Sequence, residues 1–151
     1  MVDVTIWLCV TTRENWEVIQ REGVWGISSS PRLKKSVEIL KIGDRIIVYV
    51  KQEKRNHDFI GPLVGGLCEV LSEPFKSDRK IFAGPSAEKF SLRVKVKTLM
   101  QARKPLDFKK LVPQLSFIEN KKNWSRYMQR SMIVLPEKDS ECIVSELKRN
   151  A

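Results

Sequence analysis

The seven residues from Ser91 to Lys97 alternate strictly between apolar and polar side chains, and this period of two predicts a β-strand. The apolar residues share one face and the cations share the other, namely Leu92, Val94 and Val96 against Arg93, Lys95 and Lys97. Such a strand requires a sheet that has a hydrophobic core on one side and solvent on the other. The chain is therefore expected to build a sheet with a row of exposed cations.

Short apolar runs elsewhere predict further strands, because they are rich in β-formers and too short for typical helices. They cover residues 5–10, 24–27, 46–50 and 131–135, and a longer strand is expected over 59–71. Gly65 and Gly66 interrupt that longer strand, which indicates a bulge or a barrel corner. The sheet is thus predicted to curve.

Helical patterns lie between these strands. Thr11 and Glu14 have the spacing of a capping box, and Gly23 is a stop signal, so a helix is predicted over 12–22. Further helices are expected over about 31–40 and from Pro136 onward, with shorter helical segments in 106–114 and 120–129. The resulting interpretation is an α+β fold, a small mixed β-barrel flanked by short helices, in one domain spanning residues 1–151.

Composition excludes several classes. The chain is 42% hydrophobic and 30% charged, as in ordinary globular proteins, and it contains no apolar run long enough for a membrane span. Its first ten residues lack a secretory signal pattern, so a cytoplasmic location is expected, with no membrane partner and with a monomer favoured. The three cysteines sit among apolar neighbours and are predicted to be core residues.

The net charge of +10 is concentrated in one segment. Residues 1–75 balance to zero, whereas residues 76–110 carry eleven basic and three acidic side chains, a balance of +8. A local cationic surface attracts polyanions and gains from counterion release. Nucleic acid is therefore the expected partner, although a lysine-rich surface that is only solvated is the alternative explanation.

Catalytic signatures are missing from the sequence. The chain has one histidine, His57, in a charged loop, which leaves no pair of histidines for a metal and no confident nucleophile–histidine arrangement. The glycines at 61–66 lack the lysine and helix start of a phosphate-binding loop. We therefore expect no enzyme, no metal and no cofactor.

Trp25 is the aromatic residue most suggestive of a binding site. It lies between Gly23 and Gly26, just after a predicted helix end, and small polar residues follow it. Glycine neighbours let a ligand approach the backbone, and an indole offers a face on which a base can stack. Trp7 and Trp16, in contrast, follow apolar periodic patterns that are typical of core residues.

Five segments in this order resemble the EVE domain family: Ile6-Trp-Leu-Cys-Val-Thr, Glu14-Asn-Trp-Glu-Val-Ile, Gly23-Val-Trp-Gly, Ser72-Glu-Pro-Phe and Leu115-Ser-Phe-Ile-Glu-Asn-Lys-Lys-Asn-Trp. The resemblance spans nearly the whole chain. It implies a PUA-like fold related to YTH domains, which hold a methylated adenine of RNA in an aromatic cage. It also implies recognition of an unstacked, modified or unmodified base of RNA or DNA.

By this resemblance, Trp25 is one wall of the base pocket and Asn15 contacts the base, with Gly26 where the YTH pattern has serine. The second wall is expected to be Phe75 or Phe82. The candidate base-pocket residues are Asn15, Trp25, Gly26, Ser28, Phe75 and Phe82. The candidate contacts to the nucleic-acid backbone are Lys76, Arg79, Lys80, Arg93, Lys95 and Lys97. Two alternatives remain open, a small-molecule or nucleotide sensor that uses the same pocket and an accessory of a nucleic-acid-modifying enzyme.

Overall fold

The computed structural model describes residues 4–27, 31–55, 58–82 and 91–150. Within these ranges strands and α-helices alternate over about the first 50 residues, and strands then follow one another as far as residue 107. In order they are β1 (Ile6–Thr11), α1 (Arg13–Glu22), β2 (Val24–Ile27), α2 (Pro31–Ile39), β3 (Arg45–Val50), β4 (Glu53–Arg55), β5 (Asp58–Ile60), β6 (Leu63–Val70), β7 (Phe75–Lys76), β8 (Leu92–Asp107), α3 (Phe108–Leu111), β9 (Met132–Val134) and α4 (Glu137–Arg149). Two 3₁₀ helices, Val112–Gln114 and Lys121–Arg130, lie between α3 and β9.

The main sheet of the described residues has the strand order β2-β8-β6-β3-β1-β9, and β7 adds to β8. The pair of β1 and β3 is parallel, whereas β1–β9, β3–β6, β6–β8, β2–β8 and β7–β8 are antiparallel. The sheet curls into a half-barrel with short helices around it. The predicted α+β class and mixed barrel are therefore confirmed.

Both faces of this sheet are buried. In β3, Ile46, Val48 and Val50 pack into one core, whereas Ile47 and Tyr49 pack into a second core on the other face. The helix α1 covers the first core, and α3, α4 and the 3₁₀ segments contribute to the second. This explains why β3 is a continuous β-branched run, since a strand buried on both faces needs no polar side.

The glycines of β6 lie where the sheet bends, as expected. The pairing of β6 with β8 shifts register between Val64 and Gly66. A Cβ atom at Gly66 would lie 2.4 Å from the carbonyl oxygen of Met100 on β8, so only glycine lets the two strands approach this closely. The bend predicted from Gly65 and Gly66 is confirmed.

Three boundaries differ from the sequence expectation. The strand expected over 59–71 is two strands, β5 and β6, separated at Gly61 and Pro62. The strand expected over 91–97 continues to Asp107, because β6 pairs with it from Val96 to Asp107. The N-cap of α1 is Thr12 instead of Thr11, and its hydroxyl accepts from the backbone N–H of Asn15 at 3.1 Å.

The predicted core residues are largely confirmed. Trp7 and Trp16 are buried, and the indole Nε1 of Trp7 donates to the buried carboxylate of Asp44 at 3.2 Å. Cys9 and Cys68 are fully buried, whereas Cys142 is half-buried on α4. In the described ranges no helix is both long and apolar enough to cross a membrane.

Candidate functional site

A pocket of about 100 Å³ opens between α1, β2 and the residues just before and at the start of β9. We call it the Trp25 pocket. It brings together four of the candidate base-pocket residues, Asn15, Trp25, Gly26 and Phe82. These residues come from a helix, a strand and a loop that are far apart in the chain, so the fold assembles the site that the sequence only outlined.

Trp25 forms an inner wall of this pocket. It lies on β2 opposite Val94 of β8, and its side chain is only 3% exposed. The indole therefore belongs to the first core as well as to the pocket. A ligand in the pocket can reach part of the ring, while the rest of the ring is held rigidly by the core.

Asn15 enters the pocket from the first turn of α1. The cap at Thr12 fixes this turn, and Asn15 is 5% exposed. A buried amide in a pocket wall offers a donor and an acceptor from one side chain, the combination needed to read the edge of a base. Thr11 and Thr12 lie beside it and add hydroxyl groups to the lining.

Phe82 lines the pocket and is positioned by Arg93. The guanidinium of Arg93 lies 5.3 Å from the centroid of the Phe82 ring, within cation–π range. Arg93 also donates to Ser77 Oγ at 3.0 Å and to the carbonyl oxygen of Arg79. These contacts tie the segment from Ser77 to Phe82 to β8 at the edge of the pocket.

Arg93 corrects the sequence interpretation. It was expected on a solvent face with Lys95 and Lys97, yet it is 2% exposed, because β7 and the segment after it cover this end of β8. Burial, followed by the nearby cation of Arg79, lowers the pKa of the Arg93 guanidinium. Arg93 is therefore a support of the pocket and does not form part of a phosphate-binding surface.

Phe75 and Ser28 do not join the observed lining. Phe75 is on β7, where its backbone pairs with that of Arg93, and it does not line the Trp25 pocket. Of the two candidates for the second aromatic residue, the structure thus brings Phe82 to the pocket. Ser28 lies outside the described residues.

The other candidate backbone contacts are exposed. They are Lys76, Arg79, Lys80, Lys95 and Lys97. Two of them face acidic groups, since Arg79 approaches Glu22 at 3.9 Å and Lys97 lies directly opposite Glu69 in the β6–β8 register. Lys76, Lys80 and Lys95 form no ion pair with any residue that the structure describes, so their charge is available to a polyanion.

The sequence interpretation missed Lys51, Ser131 and Met132, which also line the pocket. Ser131 has a positive φ of 65°, uncommon for a residue other than glycine, and its carbonyl oxygen accepts from Val10 N at 2.8 Å. Lys51 directly follows β3, and its backbone N–H donates to Thr11 at 2.9 Å. Long-range pairing places all three, so no local pattern could reveal them.

The chemistry of the pocket suits binding. Among its described lining residues Lys51 is the only ionisable one, and the remaining polar groups are hydroxyls, an amide and backbone atoms. In the parts of the chain that the structure describes, no three side chains of His, Cys, Asp or Glu are grouped to hold a metal ion. The arrangement offers a flat aromatic wall, a polar edge and one cation.

The sequence of this chain matches a known protein family and the sequences of several relatives. The EVE domain family model matches residues 5–146. A UPF0310 protein of Pyrococcus abyssi is 38% identical over 146 residues, which cover 95% of this chain and all of that relative.

Two solved structures show the same fold at low identity. Human THYN1 in complex with 5-methylcytosine-containing DNA superposes with a TM-score of 0.66 at 12% identity, over 95% of this chain and 98% of that chain. The Mmi1 YTH domain in complex with RNA superposes with a TM-score of 0.64 at 10% identity, over 97% of this chain and 79% of that chain. The PUA-like architecture expected from the sequence is confirmed.

Proposed function

This chain belongs to the EVE domain family, and from that premise we propose that it is a nucleic-acid-binding module that accepts one unstacked base in the Trp25 pocket. The observation that carries the proposal is the convergence of Trp25, Asn15, Gly26 and Phe82 on one cavity. An aromatic face, a buried amide and a close backbone approach are the three elements that hold a flat heterocycle and read its edge.

The pocket encloses part of a base. Its volume of about 100 Å³ is smaller than the roughly 150 Å³ of a cavity that holds benzene, so the rest of an inserted base lies at the open side of the pocket. The pocket is also open on one side, so the sugar and phosphates of an inserted nucleotide stay outside. Stacking on an aromatic side chain contributes about 1–3 kcal/mol per base, which offsets the few kcal/mol needed to extrude a base from a duplex.

The backbone contacts of the proposal come from exposed lysines beside the pocket. Lys95 lies on β8 with Arg93, Lys76 lies on the neighbouring strand β7, and Lys80 is in the segment that ends at Phe82. A phosphate contact by each adds affinity without sequence information, while the pocket selects the base. This division of roles predicts separate effects for the two groups of residues.

Two structures of the same fold carry nucleic acid of different kinds, DNA with 5-methylcytosine and RNA. We therefore include modified bases in the proposed ligand class and test both sugars. The screen uses single-stranded and duplex oligonucleotides of DNA and RNA with cytosine, 5-methylcytosine, adenine or N6-methyladenine at one central position. Free nucleosides of the same bases form a parallel set.

Trp25→Phe is the decisive variant. Alanine at this buried position would cost about 3–5 kcal/mol and could unfold the chain, whereas phenylalanine leaves a smaller void and reduces the stacking surface. We expect Trp25→Phe to lose most of the preference between bases and to remain folded. Trp124→Phe is the matched control, because Trp124 packs on Phe108 in the second core, away from the pocket.

Lys95→Glu tests the backbone contacts. It is expected to weaken all oligonucleotides alike and to lower the slope of log affinity against log salt by about 0.7–0.9 for each phosphate that is no longer neutralised. Lys148→Glu on α4 is the charge-matched control. Unchanged binding in both Trp25→Phe and Lys95→Glu would refute the proposal, and free nucleosides that bind as tightly as oligonucleotides would favour the sensor alternative.

A further inference from the structure

A second cavity of about 370 Å³ lies next to the Trp25 pocket, between α1, the end of β3, β6 and the middle of β8. We call it the Trp16 cavity. Lys51 lines both spaces, so the two cavities meet at this residue. The backbone of Lys51 is held in place between the two cavities, because its N–H donates to the carbonyl oxygen of Thr11 at 2.9 Å.

The inner wall of the Trp16 cavity is apolar with one polar group. Val50 is buried there beside the indole of Trp16 in the first core, and Leu63 packs against the same core. Trp16 is 7% exposed, and its Nε1 donates to no residue that the structure describes. No buried side-chain nitrogen or oxygen of the described residues lacks a partner, so this N–H is open to the cavity, where an acceptor on a ligand can replace water.

Gly65 lets the indole of Trp16 lie close against β6. A Cβ atom at Gly65 would lie 2.8 Å from Trp16 Nε1 and 3.1 Å from Val50 Cγ2. Any larger residue would displace the indole edge from the cavity wall. The glycine is therefore suited both to the bend of β6 and to the close approach of the indole edge.

The rim of the Trp16 cavity is cationic. Four basic residues, Arg13, Lys51, Arg103 and Lys104, stand against two acidic ones, Glu17 and Glu53. Arg13 is engaged with Glu17 at 3.9 Å. Arg103 and Lys104 are exposed and form no ion pair within the described part of the chain, and the backbone N–H of Arg103 is anchored to Asn150 at 2.7 Å.

We propose that the Trp16 cavity binds the nucleotide adjacent to the one whose base enters the Trp25 pocket, with Lys51 beside the phosphate that joins them. This inference rests on the proposed function and extends it from one base to a two-nucleotide site. The apolar wall and the indole N–H receive the second base, and Arg103 and Lys104 receive its outer phosphate. The volume lies within the 300–1,000 Å³ range typical of small-ligand sites and accommodates a base with its sugar.

The test compares mononucleotides with dinucleotides by NMR and calorimetry. The probes are the nucleotides of cytosine, 5-methylcytosine, adenine and N6-methyladenine, each alone and with a thymidine on its 5′ or 3′ side. We expect one of the two dinucleotide series to bind about 5- to 150-fold tighter than its mononucleotide, the range that one additional stacked base gives. The indole N–H signals of Trp16 and Trp25, assigned with Trp16→Phe and Trp25→Phe, report the two cavities separately.

The expected pattern is specific. Mononucleotides shift the Trp25 signal alone, whereas dinucleotides shift both signals. Arg103→Glu and Lys104→Glu should abolish the dinucleotide advantage and leave mononucleotide affinity unchanged, while Lys148→Glu leaves both unchanged. A dinucleotide whose second sugar carries no base should bind only slightly tighter than the mononucleotide. Its gain in binding free energy should be less than half of the gain of the intact dinucleotide.

The contrary results are equally clear. A dinucleotide that binds no tighter than its mononucleotide, or that leaves the Trp16 signal in place, overturns the two-nucleotide site and leaves the proposed function standing. An abasic second unit with the full advantage also overturns it, since phosphate contact alone would then explain the gain. If neither short nor long oligonucleotides bind, the proposed function itself fails and this inference fails with it.

Discussion

Replacing Arg93 with methionine should loosen the wall of the Trp25 pocket and destabilise the domain. Arg93 is 2% exposed, donates to Ser77 Oγ and to the Arg79 carbonyl, and lies over the Phe82 ring. Hydrogen bonds from a charged donor contribute about 1.5–3 kcal/mol each, and a cation–π contact about 0.5–2 kcal/mol, more when the pair is removed from water. Both acceptors regain water after the change, and methionine fills much of the volume.

We therefore expect a net loss of about 2–4 kcal/mol in the free energy of unfolding, which is less than the gross value of these interactions. For a domain of this size that loss corresponds to a fall in Tm of about 4–16 °C. Urea denaturation gives the first quantity and calorimetry the second. The effect should be local as well, because Arg93 ties residues 77–82 to the sheet.

Hydrogen exchange measures that local effect. In Arg93→Met the amides of residues 77–82 should exchange faster by more than global unfolding explains, while those of β3 should follow global stability. Lys95→Met is the matched control, since Lys95 shares the strand and the face of Arg93 but is exposed, and a change within about 0.5 kcal/mol is expected there. Wild-type stability together with unchanged exchange at residues 77–82 in Arg93→Met would disprove the supporting role.

Two further predictions concern the sheet. Gly66→Ala should cost about 1–3 kcal/mol in urea denaturation, because its Cβ would lie 2.4 Å from the Met100 carbonyl oxygen and 3.1 Å from Trp16 Cζ2; full stability would mean that β6 and β8 are not packed this closely. Stability should also fall as the pH rises above about 9, because burial raises the pKa of Cys9, Cys68 and Tyr49, that of Cys68 to about 12, and the unfolded chain loses these protons first. Cys68→Ala should make that fall less steep by the share of one thiol, and an equally steep fall in the variant would assign it to the other groups.

Local sequence patterns predicted most of the strands and helices. The remaining ones form because of pairing between strands that are far apart in the sequence. The run at β3 and the alternation at the start of β8 identified their strands, because burial on two faces or on one face leaves a distinct period. The second half of β8 carries Met100, Gln101 and Pro105, which do not favour a strand. Its extended structure follows from pairing with β6, a partner that no local window contains.

The candidate site was predictable to a similar extent. Trp25 carries a local signal and Asn15 was indicated by the family resemblance, and both reach the same pocket in the structure. The alternation placed Arg93 on the correct face of its strand but could not show that β7 and the following segment cover that face. Ser131 reaches the pocket only because the chain returns to pair β9 with β1, so its role depends on topology.

Trp25 is part of the pocket wall and also of the first core. This restricts how the base preference of such a domain can change in evolution. Trp25 is 3% exposed, so a substitution there lowers the stability of the fold before it changes which base is bound. Few substitutions at this position are therefore tolerated. Lys51 and Phe82 also line the pocket, yet they are more exposed and lie outside regular strands, where substitution disturbs the core less. New base preferences should therefore arise first at these rim positions, and libraries that aim to retarget the pocket should begin there and leave the indole in place.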